Sequence, residues 1–148
     1  MFSLIITIIS IALVAALALA TIYYGGSSFN KGSAEAKASQ LINEGQQING
    51  AVSMNRADVA SGTIDQAAGF SGTNALTVLA PAYLAQVPAG WSGTAAAGQA
   101  SITINSGDVC SAVNVKAGFA KDAPVDAAAL TGKVYGCITA DKTVIYKF

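Results

Sequence analysis

This chain of 148 residues has no histidine, only two cysteines, three prolines and one tryptophan, and no charged side chain before Lys31. Each shortage removes a class of chemistry. Without histidine there is no imidazole to serve as base for a serine or cysteine nucleophile. Cys110 and Cys137 are too few for a structural zinc site and too far apart for a C-x-x-C redox motif. They read as a disulfide formed in an oxidising compartment, with two separate buried thiols as the alternative. Closing a loop of roughly 28 residues would be worth about 3–4 kcal/mol. Eight basic and eight acidic residues give a net charge of zero, and they form no cluster, so no nucleic-acid footprint follows.

What remains of the polar patterns is weak. Gly93-Thr94-Ala95-Ala96-Ala97-Gly98 has the glycine spacing of a phosphate loop, but Gln99-Ala100 stands where Lys and Ser or Thr are needed. Asp122 and Asp126 have Pro124 between them, which favours a turn with two solvated carboxylates. Asp58 and Asp65 lack the spacing of a calcium loop. The sequence therefore supports no catalytic residue, no cofactor and no metal site.

The longest signal is the apolar run from Met1 to Tyr24. About 24 residues at ~1.5 Å each span roughly 36 Å as a helix, enough for a hydrocarbon core of about 30 Å. The hydroxyls of Ser3, Thr7 and Ser10 can bond back to carbonyls one turn earlier. Tyr23 and Tyr24 fall where an aromatic belt would lie. A secretory signal peptide would be shorter and begin with basic residues; a plain membrane anchor fits the length. An apolar segment that starts without a positive flank also reads as one from which a leader has been removed.

Met1-Phe2-Ser3-Leu4-Ile5-Ile6-Thr7, followed by the long Ile/Val/Ala/Leu run, resembles the mature N-terminus of type IV pilins, particularly the type IVb group. The layout of the rest is similar: an amphipathic helix, a small head, and two cysteines towards the C-terminus. Ile5 and Ile6 stand where most members of that family carry a glutamate. The resemblance implies an α+β fold in which a long N-terminal helix, first apolar and then amphipathic, packs on a small antiparallel sheet. It implies assembly through Met1, Phe2, Ser3, Leu4, Ile5, Ile6, Thr7, Ala12, Ala16 and Tyr24. It also implies copies of the chain as partners in a helical homopolymer, a prepilin peptidase, the pilus assembly machinery, and often a methylated amino terminus. Localisation would be the inner membrane before assembly and an extracellular filament afterwards.

Three segments follow: residues 1–26 as an apolar helix for the membrane or a filament core, 27–60 as an amphipathic helix, and 61–148 as the head. Gly25-Gly26 is the candidate helix break, since each glycine costs about 1 kcal/mol relative to alanine. Ser33 would cap a restarted helix. Ala34, Ala38, Leu41, Ile42, Gly45, Ile48, Val52 and Val59 recur at helical spacing and should carry the head. The helix should end between Asn55 and Gly62.

Leu76 to Leu84 is expected to form a turn or a short helix before Pro88, and Trp91 a hydrophobic plug. Ser101–Ile104 and Ala112–Val115 read as short strands. Val134–Thr139 and Thr143–Phe148 read as a hairpin turning at Ala140-Asp141-Lys142. The stretch from Ser111 to Gly136, with Lys121, Asp122 and Asp126, should be a surface loop enclosed by the disulfide. The low charge and many small residues suit packing against copies of the same chain, and also suit an ordinary secreted surface. The readings left open are a major filament subunit, a minor tip subunit that needs no acidic partner, and a membrane-anchored monomeric binding module.

Overall fold

The computed structural model describes residues 2–148, the side chain of Ser27 excepted. Its first element is a single helix, α1, over Phe2–Ala60. The chain divides into two compact units, one ending at Ala34 and the other covering Glu35–Phe148. No helix break occurs at Gly25 and Gly26, which are both helical. Glycine weakens a helix but keeps its N–H, and with no proline before Pro81 no backbone donor is missing from the ladder. Ser33 likewise caps nothing. Its hydroxyl donates back to the Asn30 carbonyl at 2.9 Å inside the continuous helix.

From Ala38 onwards α1 buries the expected stripe: Ala38, Leu41, Ile42, Ile48 and Val52 are all in the core, joined by Ala51. Gly45 is buried within the same stripe. A Cβ built there would collide with the ring of Tyr146, so glycine permits the close approach of helix and strand. The helix ends as expected after Ala60. Gly62 takes φ +75 and its N–H reaches the Val59 carbonyl at 3.1 Å, a left-handed stop that glycine adopts at least cost.

Between α1 and the sheet, only Leu76–Leu79 forms a helical turn, of 3-10 type, with Leu76 and Leu79 buried. Pro81 follows soon after and removes the donor that a longer helix would require. The sheet contains β1 (Ser92–Thr94), β2 (Gln99–Thr103), β3 (Tyr135–Ile138) and β4 (Thr143–Lys147). All pairings are antiparallel, in the order β1-β2-β4-β3. The small-residue run at 93–98 belongs to the β1–β2 hairpin. Gly93 faces Ala100, and Gly98 turns the chain at φ +61.

The strand expected at Ala112–Val115 is a helix instead. Helix α2 covers Gly107–Lys116, with Asp108 in its first turn, Lys116 in its last, and Ser106 as N-cap. The Ser106 hydroxyl accepts from the Val109 N–H at 3.4 Å. Val109, Cys110, Val113 and Asn114 are buried, a spacing of one helical face that outweighs the apparent alternation of Ala112 to Val115.

The stretch from Ser111 to Gly136 is also less of a surface loop than expected. Its first part continues α2, and Val125 and Leu130 form a buried cluster with Ile145, against which Phe119 and Ile138 pack. Lys121 and Asp122 do remain exposed, as a surface ion pair at 3.9 Å.

Candidate assembly surface and disulfide site

Every side chain described from Phe2 to Tyr24 is exposed, and none carries a charge. The large apolar members include Leu4, Ile8, Leu13, Leu17 and Ile22. Such a surface is costly in water at about 25 cal/mol per Å2 and neutral in lipid. The hydroxyls do not interrupt it. Thr7 Oγ1 donates to the Leu4 carbonyl at 2.9 Å, Ser10 Oγ to Ile6 at 2.8 Å, and Thr21 Oγ1 to Ala18 at 2.8 Å. Each proton is satisfied within its own helix, the condition for a polar group in a hydrocarbon medium.

The residues assigned to assembly thus lie along one helical segment. Phe2, Ser3, Leu4, Ile5, Ile6 and Thr7 occupy its first turns, and Ala12 and Ala16 fall one turn apart on one face. Met1 lies outside the described residues. Tyr24 sits edge-on to Tyr23, ring centroids 5.5 Å apart. This is the one helix among the described residues that is long and apolar enough to cross a membrane.

The second unit is stapled by the Cys110–Cys137 disulfide, with the two Cα atoms 5.4 Å apart. It joins the first turn of α2 to β3. One helical turn on from Cys110 stands Asn114, only 1% exposed, whose carboxamide holds the same strand residue twice. Asn114 Oδ1 accepts from the Cys137 N–H at 2.7 Å, and Asn114 Nδ2 donates to the Cys137 carbonyl at 2.9 Å. No sequence motif marked this residue. Its signal was a lone amide within the apolar stretch Ala112-Val113-Asn114-Val115.

Beside the bridge lies a cavity of about 310 Å3 lined by Cys110, Ser111, Asn114, Asp122, Pro124 and Thr139 among others. Asp122 supplies its carboxylate, and this accepts from the Ser111 hydroxyl at 3.0 Å. Asp126 is used elsewhere, accepting from the Ala129 N–H at 2.8 Å, so the two acids share no site. A larger groove of about 560 Å3 runs between α1 and the segment 102–109, with Lys37, Gln40 and Glu44 on the helix side. Glu44 is held by Trp91 Nε1 at 2.8 Å and by Gln40 Nε2 at 2.7 Å. Trp91 is the buried plug expected of it, with its indole N–H satisfied by α1.

Together these features define an α+β protein with a long N-terminal helix, apolar over its first segment, and a small antiparallel four-stranded sheet carrying one disulfide. The chain matches no protein-family model, no curated protein and no solved structure.

Proposed function

We propose that this chain is the structural subunit of an extracellular filament of the type IV pilus kind, polymerising through its apolar N-terminal helix. One observation carries the reading: from Phe2 to Tyr24 the helix is unburied and uncharged, and its Thr7, Ser10 and Thr21 hydroxyls are bonded to carbonyls of the same helix. A head closed by a disulfide suits a location outside the cytoplasm. Before assembly the segment is dissolved in the membrane. On assembly it exchanges lipid for the helices of other copies.

Lipid is already apolar, so the exchange draws its free energy from close packing and not from removal of water. Small residues such as Ala12, Ala15 and Ala16 let helix backbones approach. With Ile5 and Ile6 in place of an acid, contact between copies is set by shape.

The test is electron microscopy of material sheared from cells that express the chain, with mass spectrometry of the subunit. Filaments built of this chain are expected. Ala16→Leu, which enlarges the contact without shortening the segment, should abolish them while leaving membrane insertion intact. Monomer alone in the membrane fraction would replace this reading with that of an anchored binding module.

A further inference from the structure

We infer that Asn114 acts as a surrogate strand, closing the outer edge of β3 against pairing with a second copy of this chain. β3 is the last strand of the sheet, bonded to β4 on one side only. In an antiparallel pair, alternate residues turn their N–H and C=O away from the partner strand, and at a sheet edge these groups are a template for another strand. At Cys137 both outward groups are taken by the Asn114 carboxamide, at 2.7 and 2.9 Å. At Thr139, the next outward position, the N–H is taken by the Val125 carbonyl at 2.9 Å. A carboxamide carries one acceptor and one donor group as a peptide unit does, which lets one side chain stand in for one residue of a strand.

The edge needs such a guard. Val134-Tyr135-Gly136-Cys137-Ile138-Thr139 has no charge and no proline, the composition of a segment that pairs with copies of itself. Val134 is exposed and uncharged, so it repels no second copy, and the nearest charge along the chain, Lys133, has its Nζ turned onto the Ala117 carbonyl at 3.0 Å. Two ties, the disulfide and the Tyr135 hydroxyl, keep the guard in place beside its own grip. The disulfide joins Cys110 to Cys137, Asn114 grips Cys137, and the Tyr135 hydroxyl donates to the Lys116 carbonyl at the end of α2, at 2.9 Å. The occupant excluded is another β3, since two identical edges pair antiparallel across a two-fold axis. The guard is independent of the filament reading, which uses the other unit of the chain.

The test uses the full chain in detergent micelles, comparing wild type, Asn114→Ala, Asn114→Asp, and Asn114→Ala with Val134→Lys. Asn114→Ala should speed amide exchange at Cys137 at least tenfold. It should also give dimers whose fraction rises with protein concentration and whose infrared spectrum shows added intermolecular antiparallel strand. Val134→Lys, placing a charge on the edge, should return the chain to wild-type size, which separates edge pairing from association of the apolar helices. If Asn114→Ala loses its fold, Asn114→Asp decides at a pH where its carboxyl is ionised: it then keeps the acceptor for the Cys137 N–H and has no proton for the carbonyl, so dimers should appear at higher concentration. A folded variant with the edge amide or carbonyl opened and no dimer at any concentration would overturn the inference, as would dimers that Val134→Lys leaves unchanged.

Discussion

Replacing Gly45 by alanine asks whether the packing of α1 on the sheet is as tight as the geometry states. A Cβ on Gly45 would stand 2.7 Å from Cγ and 3.1 Å from Cβ of Tyr146. These atoms lie close to the β4 backbone, so rotating the ring cannot relieve the contact. The ring is buried and stacked on Tyr135 at 11° and 5.9 Å, which leaves it no second position. Overpacking of this kind costs about 1–3 kcal/mol, and the upper end applies where backbone must move. Against this, alanine is better than glycine in a helix interior by about 1 kcal/mol.

Gly50 supplies the control. It lies in the same helix with nothing within 4 Å of a built Cβ, so Gly50→Ala gains the helix term and no strain. The difference between the two variants is then the strain alone, roughly 2–3 kcal/mol. Denaturant unfolding in micelles, followed through the fluorescence of Trp91, should show Gly45→Ala destabilised by about 1–2 kcal/mol and Gly50→Ala stabilised by about 0.5–1 kcal/mol. Equal stability of the two variants would refute the contact between α1 and Tyr146.

Other outcomes follow from the same reasoning. Removing the bridge with Cys110→Ala and Cys137→Ala should lower the stability of the head by about 3–4 kcal/mol in the chain-entropy model, read as a fall in the denaturant midpoint. Asn55, buried in α1, accepts the Phe70 N–H at 2.7 Å, so Asn55→Ala should cost about 1–3 kcal/mol by stranding that donor, with a matching loss in thermal melts. Burial pushes the Tyr146 hydroxyl above its ordinary value of 10.0, with Asn49 acting in the opposite direction. The folded state thus holds this proton more tightly than the unfolded one; the stabilisation is complete below the ordinary value and is lost as pH rises through the raised one. Unfolding midpoints measured from pH 9 upwards should fall less steeply in Tyr146→Phe, though not become flat, because the hydrogen bond to Asp58 raises Tyr83 as well. Alanine at Gly25, Gly26 or Gly32, none of which has a neighbour within 4 Å of a built Cβ, should each strengthen the local helix by about 1 kcal/mol and slow amide exchange there.

The readable parts of this fold were those written in local pattern. The stripe from Ala38 to Val52 repeats with helical period and is buried as a stripe, and Thr143 to Lys147 pairs, as a hairpin should, with a strand only a turn away, although Val144, Ile145 and Tyr146 are all buried and no alternation shows in the strand. Where two periods compete over few residues, pattern fails. Ala112 to Val115 alternates like a strand, and only the Ser106 cap together with Val109 and Val113 makes the helix legible. Asn114 and Asn55 were invisible for a different reason. Each amide is buried because of a backbone group brought to it from far along the chain, Cys137 in one case and Phe70 in the other. No local spacing encodes such a meeting.

The two ends of α1 are helical for different reasons, and this bears on how copies of the chain could recognise one another. From Ala38 onwards the helix has a buried face, so its orientation is set by packing. Before Tyr24 no face is buried, and the helix persists because its residues leave no backbone group for a non-polar medium to strand. Hydroxyls facing a neighbouring helix are one source of register between copies. Yet the protons of Thr7 and Ser10 are turned onto the Leu4 and Ile6 carbonyls of the same helix, so these side chains have none left to donate across a helix pair. Under the filament proposal, register then falls to steric fit. Alanines at 12 and 16 admit a neighbouring backbone on one face, and leucines at 13 and 17 stand out beside it. A uniformly branched surface would slide; a notched one has a preferred position. That is why a single leucine at position 16, neutral for insertion, is the substitution that most directly sets assembly against anchoring.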